Sequence, residues 1–154
     1  MKHVMDQKKN ESPVVSKKPF SVFIVDDDES YLSALGFRLM KDNKDHQTKV
    51  YCYTSGEECL ANLDLDPRVV ILDYYLSTNQ DAMSGLEVLR EIKRIKPNVP
   101  VVVLSSQGDI KTALDTFEEG AYTYVVKDKQ ALLSIEKIID SFINIKPTKL
   151  RGPY

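Results

Sequence analysis
The sequence predicts the α/β class: a doubly wound parallel sheet of five strands with helices on both faces. Two observations carry this prediction. Hydrophobic patterning alternates five times between short β-branched or aromatic runs and longer segments with leucine and isoleucine at helical spacing. Two of the short runs, VVIL at 69–72 and VVVL at 101–104, are apolar throughout, as strands covered on both faces must be.

The elements follow in order. Phe20–Val25 (FSVFIV) reads as the first strand and stops abruptly at Asp26-Asp27-Asp28. Glu29–Lys41 carries Leu32, Leu35 and Leu39 at helical spacing. Thr48–Tyr53 alternates like a half-buried strand, and Ser55-Gly56-Glu57-Glu58 opens a second helix with a capping-box pattern. Val69–Leu72 is the third strand and runs into Asp73. Gly85–Lys96, with Leu86, Leu89, Ile92 and Ile95, is a helix that ends just before Pro97. Val101–Leu104 is the fourth strand, and Ile110–Glu119 a helix with Gly120 suited to a left-handed C-cap. Tyr122–Val126 and Gln130–Ile145 complete the set, the last with Leu132, Leu133, Ile135, Ile138, Ile139 and Phe142 on its apolar side. Right-handed crossovers and short connections leave few topologies. The expected one is the flavodoxin-like order 2-1-3-4-5, with its site at the carboxyl ends of strands 1 and 3.

One domain is expected over 19–146. Residues 1–18 hold five lysines and no apolar periodicity, so they read as a flexible tail, and 147–154 as a short C-terminal one. A chain of 154 residues that is 42% hydrophobic and 29% charged is not disordered throughout. Twenty-one basic against 23 acidic residues, a net −2, argues against a protein that coats nucleic acid, so no nucleic-acid partner is expected. No apolar run approaches the ~20 residues that span a bilayer, and no secretory signal is visible. No membrane partner and a cytoplasmic location are therefore expected. Cys52 and Cys59, without a CxxC, read as reduced thiols.

The chemistry lies where polar residues interrupt the apolar runs. Strand 1 ends in Asp26-Asp27-Asp28, strand 3 in Asp73, strand 4 in Ser105-Ser106 and strand 5 in Lys127, all at one edge of the predicted sheet. Carboxylates gathered at one edge repel, and a hard cation such as Mg²⁺ with oxygen ligands neutralises them well. Lys127 supplies a second positive charge and Ser105 a hydroxyl donor. Two acids, a further acid, a hydroxyl and an ammonium are what phosphoryl transfer to a carboxylate requires. Taken singly, each has a plainer reading: Asp27 or Asp28 as a helix cap, Ser105 or Ser106 as the cap of helix 4, Lys127 as a solvated cation, Tyr124 as packing. The combination favours the joint reading.

From Phe20 to about Ile145 the chain resembles the receiver domains of two-component response regulators, the CheY-like family. The stretches that carry the resemblance are FSVFIVDDDES, SGEECL, RVVILDYYL, SGLEVLREIK, VPVVVLSS and EEGAYTYVVKDK. It implies that Asp73 accepts a phosphoryl group from a histidine kinase or phosphotransfer protein. It implies Mg²⁺ held by Asp27 and Asp73 directly, by Asp26 through water, and by the backbone carbonyl of Tyr75. Ser105 would bond the phosphoryl oxygen, Lys127 would pair with it, and Tyr124 would be the switch aromatic. Asp28 has no such role and starts helix 1. The chain would be a signalling switch that catalyses only its own phosphorylation and dephosphorylation. Tyr75 and Gln107 occupy the positions with which the family tunes hydrolysis.

Three departures stand out. The loop from Asp73 to Gly85 is longer than the family's usual spacing and lacks its usual Pro, so it either gates the site or is tolerated at the surface. Lys127 is followed by Asp128 rather than Pro. No output domain follows helix 5, so output through a protein surface is expected. In the family that surface is formed by helix 4, strand 5 and helix 5. Here it offers Ile110, Ala113, Leu114, Phe117, Tyr122 and Tyr124, most of them expected to be ordinary core contacts, with Tyr124 alone expected to serve the output. Homodimerisation of the phosphorylated form is left open. Two other readings compete: a degenerate receiver that binds without being phosphorylated, and a haloacid-dehalogenase-like phosphatase using Asp26 as nucleophile.

Overall fold
A computed structural model describes residues 18–41, 48–76 and 79–144. The expected tails 1–18, save Lys18, and 147–154 lie outside the described residues. The elements alternate as β1 (Phe20–Val25), α1 (Glu29–Lys41), β2 (Thr48–Tyr53), α2 (Gly56–Ala61), β3 (Val69–Asp73), α3 (Gly85–Ile95), β4 (Val101–Ser105), α4 (Ile110–Glu118), β5 (Thr123–Val126) and α5 (Ala131–Ile143). A short 3₁₀ turn at Leu63–Leu65 joins α2 to β3. The five strands form one parallel sheet in the order β2-β1-β3-β4-β5. Boundaries differ from the sequence reading by one or two residues, as fraying ends do.

Side-chain alternation along the strands explains the wholly apolar runs. Phe23, Val25, Val70, Leu72, Val101 and Val103 point to one face, where Cys59 of α2 and Val88, Leu89 and Ile92 of α3 cover them. Val22, Ile24, Val69, Ile71, Val102 and Leu104 point to the other, against Leu32, Leu35 and Leu39 of α1 and Ile135 and Ile139 of α5. Both faces of the central strands are dry, so neither parity can be polar.

Side-chain caps set the starts of α1 to α4, whereas Gln130 at the start of α5 makes no side-chain cap hydrogen bond. Asp28 Oδ1 accepts the Ser30 and Tyr31 amides at 2.9 and 3.2 Å and so begins α1. Asp109, not Ser105 or Ser106, caps α4, taking the Thr112 amide at 2.8 Å. Ser55 accepts the Glu58 amide, but the reciprocal capping box is found at Ser84 and Glu87 of α3. Ser84→Ala is expected to cost about 1 kcal/mol in urea denaturation, the usual worth of such a cap.

Helix 4 reverses the usual amphipathic logic. Thr112 and Thr116 are its buried residues, whereas Ile110, Leu114 and Phe117 are 78, 55 and 48% exposed. Tyr122, just before β5, is 55% exposed, with its ring against Phe142 of α5. The expectation that most of these residues are core contacts is therefore corrected: both sheet faces are already filled by other residues, and the apolar stripe of α4 faces outward.

Candidate functional site
The carboxyl ends of β1, β3, β4 and β5 bring the polar strand-end residues to one edge. Parallel pairing fixes their level: Val25 pairs with Leu72, Asp73 with Leu104 and Ser105 with Val126, so Asp26, Asp73, Ser105 and Lys127 emerge side by side. Backbone bonds continue the ladder past the strands, from Asp26 N–H to Tyr53, Tyr74 N–H to Leu104 and Lys127 N–H to Ser105.

Asp26, Asp27 and Asp73 each present a carboxylate oxygen, and these atoms lie within 4.8 Å of one another. Asp26 and Asp73 are buried while Asp27 faces solvent. Lys127 Nζ bonds Asp26 Oδ2 at 2.6 Å and lies 3.4 Å from Asp73 Oδ1. The other oxygen of Asp26 accepts the Asp28 amide at 3.0 Å. Burial, reinforced by the neighbouring Asp26 carboxylate, pushes Asp73 up to about 6; Lys127 and a backbone hydrogen bond from Tyr75 pull the other way. Burial opposes the charge on Lys127, but the two carboxylates outweigh it and hold the ammonium above its ordinary value. A hard divalent cation fits this donor set: three carboxylates, one of them open to water, on one ammonium.

Ser105 is fully buried, and its hydroxyl is engaged locally, donating to the Gln107 carbonyl at 2.9 Å and accepting the Gln107 amide at 3.2 Å. The Tyr124 hydroxyl donates to the same carbonyl. Tyr75 is 41% exposed; its ring meets Tyr74 edge-on and its hydroxyl donates to Gln107 Oε1 at 3.2 Å. Gln107 thus joins Ser105, Tyr124 and Tyr75. In the sequence Gln107 has a role only through the family resemblance, because no local pattern marks a residue whose main-chain carbonyl is the acceptor. Residues 77–78 of the long loop lie outside the described set. Its far end is tied to α2, where Glu57 Oε1 accepts the Met83 amide at 2.8 Å.

With this geometry in place, the comparisons are specific. The family model described as "Response regulator receiver domain" matches residues 22–138, and the chain belongs to that family. The transcriptional regulatory proteins GlrR of Escherichia coli K12 and FixJ of Rhizobium meliloti are each 30% identical over 120 residues, 77% of this chain. The chain spans only 26% of the length of GlrR and 55% of FixJ. Among solved structures, the BeF₃-activated receiver domain of DrrB, a Thermotoga maritima regulator, superposes with a TM-score of 0.69 at 28% identity, covering 82% of this chain and 98% of that one. The receiver domain of NtrX from Brucella abortus gives 0.66 at 28% identity, with 81 and 99% covered. Receiver domains are the signalling domains of two-component response regulators. No helix among the described residues is long and apolar enough to cross a membrane.

Proposed function
We propose that this chain is a phosphorylation-activated switch whose phosphoryl acceptor is Asp73. The observation that carries the reading is the placement of Lys127 Nζ between the carboxylates of Asp26 and Asp73, with Asp27 in the same cluster. An Asp73 oxygen attacks the phosphorus of a phosphohistidine on a histidine kinase or phosphotransfer protein. The new P–O bond forms as the P–N bond breaks, and the imidazole nitrogen leaves with the electron pair. Charge on the equatorial oxygens is met by the Lys127 ammonium and by the Ser105 hydroxyl once it leaves Gln107. Asp26, Asp27 and Asp73, with the Tyr75 carbonyl, are the residues that would hold Mg²⁺, which supplies neutralisation of the clustered acids.

The Gln107 carbonyl, shared by Ser105 and Tyr124, links the site to the outer surface. When Ser105 turns toward the phosphoryl group, one donor leaves that carbonyl and the environment of Tyr124 changes. The equilibrium shifts because the two arrangements bind the new charge differently. Output then runs through the face of α4, β5 and α5, where Ile110, Leu114, Phe117 and Tyr122 offer apolar area to a protein target.

Acetyl phosphate with Mg²⁺, read by peptide mass, tests the acceptor. Label is expected on the peptide carrying Asp73 and none after Asp73→Asn. Label on Asp26 instead would favour the dehalogenase-like reading. Tyr75 and Gln107 bridge the two loops flanking Asp73, so Tyr75→Ala is expected to shorten the phosphorylated lifetime several-fold; an unchanged or longer lifetime contradicts the shielding role.

A further inference from the structure
We infer that Tyr31 is a positioning residue for Lys127, its ring forming a neutral shelf that holds the ammonium in the site. The inference rests on the acceptor reading above and adds a residue to it. Lys127 Nζ lies over the Tyr31 ring, 4.5 Å from its centroid. An ammonium has three N–H donors on a flexible four-carbon stem. Here one is taken by Asp26, one faces Asp73, and the ring occupies the remaining side.

The identity of the third neighbour matters. Water there would let the stem swing outward, and a third carboxylate would cancel charge needed by an incoming phosphoryl group. An aromatic face attracts the cation without neutralising it. The ring is itself fixed, because the Tyr31 amide is bound by the Asp28 cap at 3.2 Å and its side chain packs against the α1–α5 side of the core. This gives the third aspartate of the Asp26–Asp28 run a use: it sets the helix start that aims Tyr31.

The hydroxyl tells the same story from the other end. Tyr31 Oη is buried and has no hydrogen-bond partner among the described residues. A buried phenol without a partner loses its hydration and gains no hydrogen bond in return, so the oxygen costs stability here and the favourable contact at this position is the ring's.

The test compares Tyr31→Phe, which keeps the ring, with Tyr31→Leu and Tyr31→Met, which do not, in the full chain. In metal-free protein the Lys127 ε-methylene protons are expected at ring-current-shifted, upfield positions in wild type and Tyr31→Phe. They return to ordinary positions in both ringless variants, with the amide spectrum otherwise kept. At saturating Mg²⁺, BeF₃⁻ binding is expected to weaken about three- to tenfold in the ringless variants, the range of a partly desolvated cation–π contact, and to stay within about twofold for Tyr31→Phe. If Phe and the ringless variants behave alike in both readouts, the shelf is refuted. If wild type fails to bind BeF₃⁻, the acceptor reading falls, while the methylene shift still decides the role of Tyr31.

Discussion

Asp73→Asn is expected to stabilise the metal-free protein near neutral pH, by about 2 kcal/mol in urea denaturation. The carboxyl is buried beside Asp26, and its pKa stands at about 6 in the fold against 3.8 for the free group. At 1.36 kcal/mol for each pKa step of one, that difference sets an upper bound of about 3 kcal/mol. The sign follows from proton linkage. The folded state holds this proton more tightly than the unfolded state, so the contribution of Asp73 is fully favourable below about pH 4. It is lost as pH rises through about 6. The advantage of the Asn variant is therefore expected to shrink on acidification from pH 7 to 4. Mg²⁺ is expected to stabilise wild type and not the variant. A variant less stable than wild type at every pH would show that Lys127 more than repays the burial of Asp73.

The second large effect is expected at Gly85. A Cβ added there would lie 2.5 Å from the Asp73 carbonyl oxygen and 2.7 Å from Tyr74 Cα, and closer still to the Tyr74 carbonyl. All three are main-chain atoms of the acceptor strand and its exit, so no side-chain rotation relieves the overlap. Gly85→Ala is expected to cost about 3 kcal/mol, the upper end for overpacking, and to weaken BeF₃⁻ binding because the Asp73 backbone must move. Gly56→Ala is the informative contrast. Its Cβ would overlap Val88 Cγ2 and lie 3.3 Å from Val88 Cβ, and that side chain is β-branched and fully buried, so Gly56→Ala is expected to destabilise the α2–α3 contact without moving the Asp73 backbone. A Gly85→Ala protein with unchanged stability and binding would mean that the start of α3 does not hold Asp73 in place.

The fold was legible because its two faces are both dry. VVIL and VVVL are short, rich in β-branched residues and apolar throughout, which suits strands buried on both faces, with helices on either side and a site at the strand ends. Asp26, Asp73, Ser105 and Lys127 were readable for the same reason, as polar residues where apolar runs stop. What was not readable depends on contacts between distant segments. Nothing in SALGF or AMSGLE distinguishes Gly36, where an added Cβ would make ordinary contact with Cys52 Sγ at 3.4 Å and Val50 Cγ1 at 3.8 Å, from Gly85, since the atoms that exclude a Cβ come from another part of the chain. The outward stripe of α4 is not legible in the sequence, because periodicity shows that a helix has an apolar side, not which way that side faces. Tyr31 gave no signal at all: its meaning comes from a lysine 96 positions later. The capping box at Ser84–Glu87 has the same S-x-x-E spacing as Ser55–Glu58, and only the fold shows which of the two closes reciprocally.

The proposed function depends on one convergence, the acidic cluster closed by Lys127 acting as a phosphoryl-accepting, cation-holding site. Mg²⁺ titration followed by BeF₃⁻, monitored through the amide resonances of Asp73, Ser105 and Tyr124, tests it most directly. Saturable Mg²⁺ shifts at Asp73 are expected first, then BeF₃⁻-induced shifts that reach Ser105, Gln107 and Tyr124, both abolished in Asp73→Asn. No response to either addition in the wild-type chain would contradict the account and mark the protein as a receiver fold that no longer takes phosphate.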